Sequence, residues 1–322
     1  MRRRDFVKLV GTAAVSWPMV ARAQFDSSRP ITMIVPFPPG GGADVLVRIL
    51  TKYMAENLNE TIVVENQPGA GGALAFAHVA RAVPDGHTLG WSSAGFAVMA
   101  ATLPDLSFSP QKDFVHVCDV AQNPFVLVVN PDLPIKSVKE LIDYAKAKPN
   151  ALNFAQNGTA TLTNLVVELL KIEAGIQVTQ VAYRGDNYSI ADVITGQVQA
   201  MFSNSPVALP HVAASQLRAL AVTSARRSAA APDIPTMVES GYPDFKVVVW
   251  QGISGPAGLA ADVVNRINAS AREALKVPEV AARFDALGAE RIGSTPEEFA
   301  ALVGRELEVW SDVARRSGVK PD

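Results

Sequence analysis

The chain predicts an α/β architecture of two lobes, each a mainly parallel sheet flanked by helices. Three observations carry this. Short β-branched runs alternate with helical apolar patterns along most of the 322 residues, the rhythm of βαβ units with short connections. The alternation restarts past residue 123, so two such units are expected. After Pro256 the pattern is helical to the end with no sheet of its own, which would return it to the first unit.

Ile31–Val35 is a β-branched run ended by Pro36 and reads as a buried strand. Gly40-Gly41-Gly42 follows, then Val45, Leu46, Ile49, Leu50 and Met54 at helical spacing. Thr61–Glu65 is the next strand, Asn66–Gly72 a turn-rich loop, Ala73–Ala82 a helix and Thr88–Ser92 a third strand. In the second unit Phe125–Val129 is a strand, and Ser137 three before Glu140 is a capping-box signature opening a helix to about Lys148. Strands are expected at 152–155, 178–183, 198–202, 217–223 and 246–250, with helices at 161–174, 189–195 and 206–215. Ala261–Leu275, Pro278–Leu287 and Thr295–Ser317 are the closing helices, the last with a Thr cap, a first-turn proline and early acids. The expected division is 24–122 with 246–322 as lobe 1 and 123–245 as lobe 2. Two chain crossings make a hinge, and a ligand cleft would lie between the lobes.

Composition narrows the function classes. With 48% hydrophobic and 19% charged residues the chain can build a core. A pI near 6.1 and a formal charge of −2 leave no nucleic-acid footprint. The lone Cys118 excludes intramolecular disulfides and cysteine-based zinc sites, and is expected as a buried small hydrophobe. Nucleophile elbows fail: Ala94 stands where Gly90-Trp91-Ser92-Ser93 needs glycine, and Pro256 spoils Gly252-Ile253-Ser254-Gly255. His78, His87, His116 and His211 fit no metal spacing, and no Gly-Lys-[Ser/Thr] follows a glycine run. No catalytic residue, metal or cofactor is therefore assigned.

Residues 1–23 read as an export signal: Arg2, Arg3, Arg4 and Lys8, an apolar stretch Leu9–Val20, and Ala21-Arg22-Ala23 before a cleavage expected at Gln24. Arg3-Arg4-Asp5-Phe6-Val7-Lys8 fits a twin-arginine motif. Removal of this segment, with five basic residues and one acidic, would leave 24 basic and 30 acidic residues, a charge of −6.

Candidate binding residues lie where strands run into helices, the ligand end of open α/β sheets. Phe37-Pro38-Pro39-Gly40-Gly41 precedes a helix whose first N–H groups and dipole suit a carboxylate. The prolines cannot donate, so the glycines must. Asn66, Ser92 and Ser93 end the next two strands. Gln156-Asn157-Gly158, Thr161 and Asn164 form a second loop and helix start, which reads equally as a plain helix cap. Arg184 and Asp186 follow another strand end; Arg184 is either a carboxylate fork or a solvated surface charge. Asn204, before Pro206, is a turn residue or a donor. Phe37 and Trp91 near this mouth are either aromatic platforms or core residues.

Taken in order, Arg29-Pro30-Ile31-Thr32, Ile34-Val35-Pro36-Phe37, Gly40-Gly41-Gly42-Ala43-Asp44, Val63–Gly72, Pro84-Asp85-Gly86-His87-Thr88-Leu89, Tyr183-Arg184-Gly185, Leu217–Thr223 and Pro232-Asp233-Ile234-Pro235-Thr236 form a distinctive series. In it the chain resembles the periplasmic substrate-binding proteins of tripartite tricarboxylate transporters, the Bug-type receptors, over roughly residues 28–320. The resemblance implies a periplasmic-binding-protein-like fold whose two lobes close on a small organic carboxylate, held by backbone N–H groups at Phe37–Gly41. It implies delivery to membrane subunits, a periplasmic location and a monomer. Relatives carry serines where Gln156 and Asn157 stand and a histidine at Asn164, so the ligand stays open among dicarboxylates, tricarboxylates, amino acids and aromatic acids. A sensory receptor for a carboxylate, and a secreted hydrolase or isomerase, are the alternative readings.

Overall fold

The computed structural model describes residues 29–319 apart from 104, 41, 159–160 and 184–185. The expected export signal, Gly41 and Arg184 lie outside the described residues, as does the side chain of Asp186.

The first half is built on three parallel strands. β1 (Ile31–Val35) runs into α1 (Gly42–Leu58), β2 (Ile62–Asn66) into a short 3-10 turn and α2 (Ala73–Ala80), and β3 (Thr88–Ser93) into α3 (Gly95–Thr102). β1 is the central one, paired Thr32 with Val63 of β2 and with Thr88 of β3. Glycine is required at the turn before α2, where Gly69, Gly71 and Gly72 all take positive φ.

A 16-residue strand, β4 (Phe114–Val129), then carries the chain across. The second half continues with α4 (Val138–Ala147), β5 (Asn153–Gln156), α5 (Leu162–Ala174), β6 (Thr179–Ala182), α6 (Asp186–Ile194), β7 (Ala200–Asn204), α7 (Ser205–Ala213) and β8 (Arg218–Val222). β9 (Val248–Pro256) returns, followed by α8 (Ala261–Ala274), α9 (Pro278–Ala286), the short β10 (Glu290–Arg291) and α10 (Pro296–Ser317).

The sheet is mixed, with order β2-β1-β3-β9-β4-β7-β5-β6, and β8 and β10 both on β4. The outer strands pair in parallel as expected, and the crossing strands pair antiparallel. β9 lies between β3 and β4, with Ser92 opposite Gly252 and Gln122 opposite Trp250. From Phe125 onward the partners of β4 are β7 and β8. The strand therefore belongs to both halves.

Helices cover both faces. In the first half α1, α8 and α9 enclose Met33, Leu50, Trp91, Ile267 and Phe284 on one side. On the other, Phe76, Phe96, Phe108 and Phe114 form an aromatic cluster, with Phe96 edge-on to Phe114 at 4.9 Å between centroids. α10 packs on α3, on β4 and on α5, so the last helix touches both halves. Its Phe299 meets Trp250 of β9 edge-on at 5.2 Å. Thr295 and Glu298 cap it reciprocally, as the sequence predicts. Ser137 likewise accepts the Glu140 N–H, and the Glu140 carboxylate reaches the N–H of Lys136 one residue further back.

Candidate functional site

Strand polarity defines where a ligand can sit. β3 is antiparallel to β9, and β9 to β4, so β1, β2 and β3 run with β4 toward the crossing. β7 is antiparallel to β4 and parallel to β5, which is parallel to β6, so these three run the opposite way, also toward the crossing. The carboxyl ends of the two parallel sets thus face each other. Ser93 lies level with Gln251 and hence Ala121, and Asn204 is level with Phe125. Four residue steps along β4 separate the two levels, about 13 Å.

In the first half the loop after β1 is held by one buried acid. Asp44, 3% exposed, accepts the Gly40 N–H at 2.9 Å, Arg48 Nε at 3.0 Å and Asn66 Nδ2 at 2.8 Å. The Arg48 guanidinium, with help from Gly40 and Asn66, holds its carboxyl down at about 2, against the opposing effect of burial. Asn66 also donates to the Phe37 carbonyl at 3.0 Å and accepts from Arg48 at 2.7 Å. Gly40 at φ +83° has open space where a Cβ would stand. Pro38, Pro39 and Gly40 are exposed, and Phe37 is half-buried against the core under β1.

Several candidates are thereby committed inside the protein. The Gly40 N–H is engaged by Asp44 and does not point at a free anion site. The Asn66 amide has both its donors and its oxygen engaged and acts as a clamp on the loop. Ser92, 1% exposed, bonds to Ser254 Oγ at 2.9 Å and to the Gly252 carbonyl at 3.2 Å. Ser254 in turn contacts His116 Nδ1 at 3.1 Å, a ring that burial holds down at about 4. Trp91 is fully buried and donates to Gln251 Oε1 at 3.1 Å, so it is core and no stacking platform. Ser93 makes no side-chain hydrogen bond among the described residues and remains at the strand end.

The loop of the second half is self-bonded in another way. Gln156, 4% exposed, takes the Gly158 N–H on its side-chain oxygen. Gly158 sits at φ +116°, a conformation that favours glycine. The Asn157 N–H donates to Thr163 Oγ1 at 3.0 Å. Thr161 caps α5: its Oγ1 donates to the Gly158 carbonyl at 2.6 Å and accepts the Asn164 N–H at 3.4 Å. Asn164 stands in the first turn with its Nδ2 on Gln180 Oε1 at 2.9 Å. Tyr183 Oη donates to Asp192 at 2.6 Å, which ties the end of β6 to α6; burial, with that bond, pushes the phenol up to about 12. Asp186 begins α6, and Asn204, half-buried, takes the N-cap position of α7.

Asp44 and Arg48 as organisers, and Gln180 and Glu168, are not among the residues that sequence motifs mark. The i,i+4 acid–base spacing of Asp44 and Arg48 was the available signal. Among the described residues no group of three or more His, Cys, Asp or Glu side chains could hold a metal ion, and no helix is long and apolar enough to cross a membrane. A separate groove of 1050 Å³ lies between α10, the end of α5 and the crossing strands. None of the candidate residues lines it, and cations such as Arg226 and Arg305 alternate there with acids such as Glu173 and Glu308.

Two α/β halves joined by crossing strands, with loops converging from both, make a binding protein of the periplasmic type. The comparisons agree. The model of the tripartite tricarboxylate transporter family receptor matches residues 46–319, and the chain belongs to that family. Protein BugT of Bordetella pertussis is 35% identical over 97% of this chain and 95% of its own. MatC from Rhodopseudomonas palustris, solved with bound malate, is 32% identical with a TM-score of 0.72 and covers 88% of this chain and 98% of its own. An R. palustris protein solved with adipate is 29% identical with a TM-score of 0.75, over 92% and 99%. This is a family of periplasmic receptors and not of enzymes.

Proposed function

We propose that the chain is a periplasmic receptor that binds a small organic carboxylate between its two halves and delivers it to the membrane subunits of a tripartite tricarboxylate transporter. The observation that carries this reading is the facing of the two sets of strand ends across β4 and β9. The malate and adipate of two solved relatives support the ligand class. Lobe 1 would be 24–122 with 246–322 and lobe 2 would be 123–245, closing about the crossing strands on one bound acid. The candidate ligand set is that of the sequence, with Asn66 and Ser92 acting from behind and Phe37, Pro38, Pro39, Gly40, Ser93, Gln156, Asn157, Gly158, Thr161, Asn164 and Asn204 toward the strand ends; Gly41, Arg184 and Asp186 complete the set. Residues 1–23 serve as the export signal, of twin-arginine type, and the receptor acts as a monomer without cofactor.

The test is a thermal-shift screen of residues 24–322 against citrate, malate, glutarate, adipate, glutamate, nicotinate, benzoate and terephthalate. A ligand at 100 times its Kd adds about 2.7 kcal/mol to native-state stability. A shift with an acid recovered unchanged supports the receptor. Conversion of the acid, or no shift with any member, overturns it.

A further inference from the structure

The amide of Asn164 is fixed in one orientation by a chain of side chains behind it. Lys171 Nζ donates to Glu168 Oε1 at 2.8 Å, and Gln180 Nε2 donates to the same oxygen at 2.5 Å. A carboxylate paired with an ammonium only accepts, so Gln180 must turn its NH2 toward Glu168 and its oxygen toward Asn164. Asn164 therefore gives its NH2 to Gln180 at 2.9 Å and turns its Oδ1 away. That oxygen is buried without a hydrogen-bond partner, in a residue only 5% exposed. Unmet buried acceptors are rare. This one stands in the first turn of α5, at the carboxyl end of β5. Helical side chains lean back toward the helix N-terminus, which here is the end that follows the strand β5.

We propose that Asn164 Oδ1 makes the site selective for acids that also carry a hydroxyl or ammonium donor, over the same acids without it. This rests on the carboxylate-receptor reading above. The reason is the sign of the interaction. Oδ1 offers only lone pairs, so a carboxylate oxygen set against it finds no proton, while an O–H or N–H completes the missing bond. The Lys171–Glu168–Gln180 chain prevents the amide from flipping to offer its NH2 instead.

Titration calorimetry with matched acids tests this: succinate, malate and aspartate, then glutarate, 2-hydroxyglutarate and glutamate. In at least one series the hydroxy or amino acid is expected to bind about tenfold or more tighter than the unsubstituted acid. The hydroxy and amino arms identify which donor is used. Asn164→Leu should bring the ratio of substituted to unsubstituted acid to within about twofold. Gln180→Leu, which frees the amide to turn, should lower the ratio as well, and it decides the matter if Asn164→Leu fails to fold. Equal or tighter binding of the unsubstituted acids by the wild type, or a ratio that survives both substitutions, overturns this inference alone. Binding of none of the six overturns this inference; the carboxylate reading falls only if the wider panel above also gives no shift.

Discussion

Asp44→Asn removes the charge that organises the first loop. The carboxylate is buried and bonded by Gly40, Arg48 and Asn66, and these partners bring it from 3.8 to about 2. At about 1.36 kcal/mol per tenfold change in the proton equilibrium, the ionised form contributes about 2 kcal/mol to stability at neutral pH. This is an upper figure, because the Arg48 side chain is 48% exposed and solvent screens its share. Since the folded-state value is depressed, the contribution is complete above the unfolded value near 4 and is lost as pH falls through about 2. About 1.3 kcal/mol should remain at pH 3. For a chain of this length 2 kcal/mol corresponds to a Tm change of about 3 °C. Thermal melts of both proteins at pH 7, 3 and 2 should show the gap narrowing stepwise, to about 0.4 kcal/mol at pH 2. Equal melting at pH 7, or a gap of unchanged size at pH 2, would refute the reasoning.

Glu306 gives the opposite pH dependence. Burial pushes its carboxyl up to about 7, against the Trp310 Nε1 bond that favours the anion. A raised acid leaves stability intact below about 4.5 and costs progressively more up to about 7, so Glu306→Gln should raise Tm at pH 8, by up to about 3 kcal/mol in stability, and not at pH 4. Gly252→Ala should be severely destabilising, by about 3 kcal/mol in urea unfolding, because its Cβ would lie 2.5 Å from both the Cys118 carbonyl and Phe299. Gly255→Ala meets only side chains, those of Leu259 and Leu89, and should cost less; the reverse ranking would count against the packing described. The Cys118 thiol is buried and pushed up to about 12, so it should resist a maleimide in the native protein and react in urea.

Much of the fold is legible because local chemistry decides it. β1 occupies the predicted residues, and the caps at Ser137, Thr161 and Thr295 start their helices as read. Two elements are not legible for identifiable reasons. The first eleven residues of β4 carry His116, Asp119, Gln122 and Asn123 in a mostly buried strand with two register shifts, so neither alternation nor a continuous apolar run appears. α3 is apolar on every side, with Phe96, Ala97, Val98 and Met99 all buried, so it has no face to detect. For the site, strand ends are readable and side-chain commitments are not. Ser92 meets Ser254, 162 residues away, through the insertion of β9, and Asn66 turns back to Phe37 and Asp44 across two loops. Those partners are set by the register of distant strands, which nothing local encodes.

The position of β9 also governs the order in which the chain completes itself during synthesis. The first half holds the N-terminal strands, yet the strand filling the gap between β3 and β4 ends at Pro256, and α8 and α10 follow it. Residues 125–222 need no such late arrival, because β5, β6, β7 and β8 assemble on the second part of β4. The middle of the chain can therefore close while its beginning still waits for its end. Until residue 256 and the following helices emerge from the ribosome, β3 keeps an unpaired edge, the kind of edge that invites pairing with other chains.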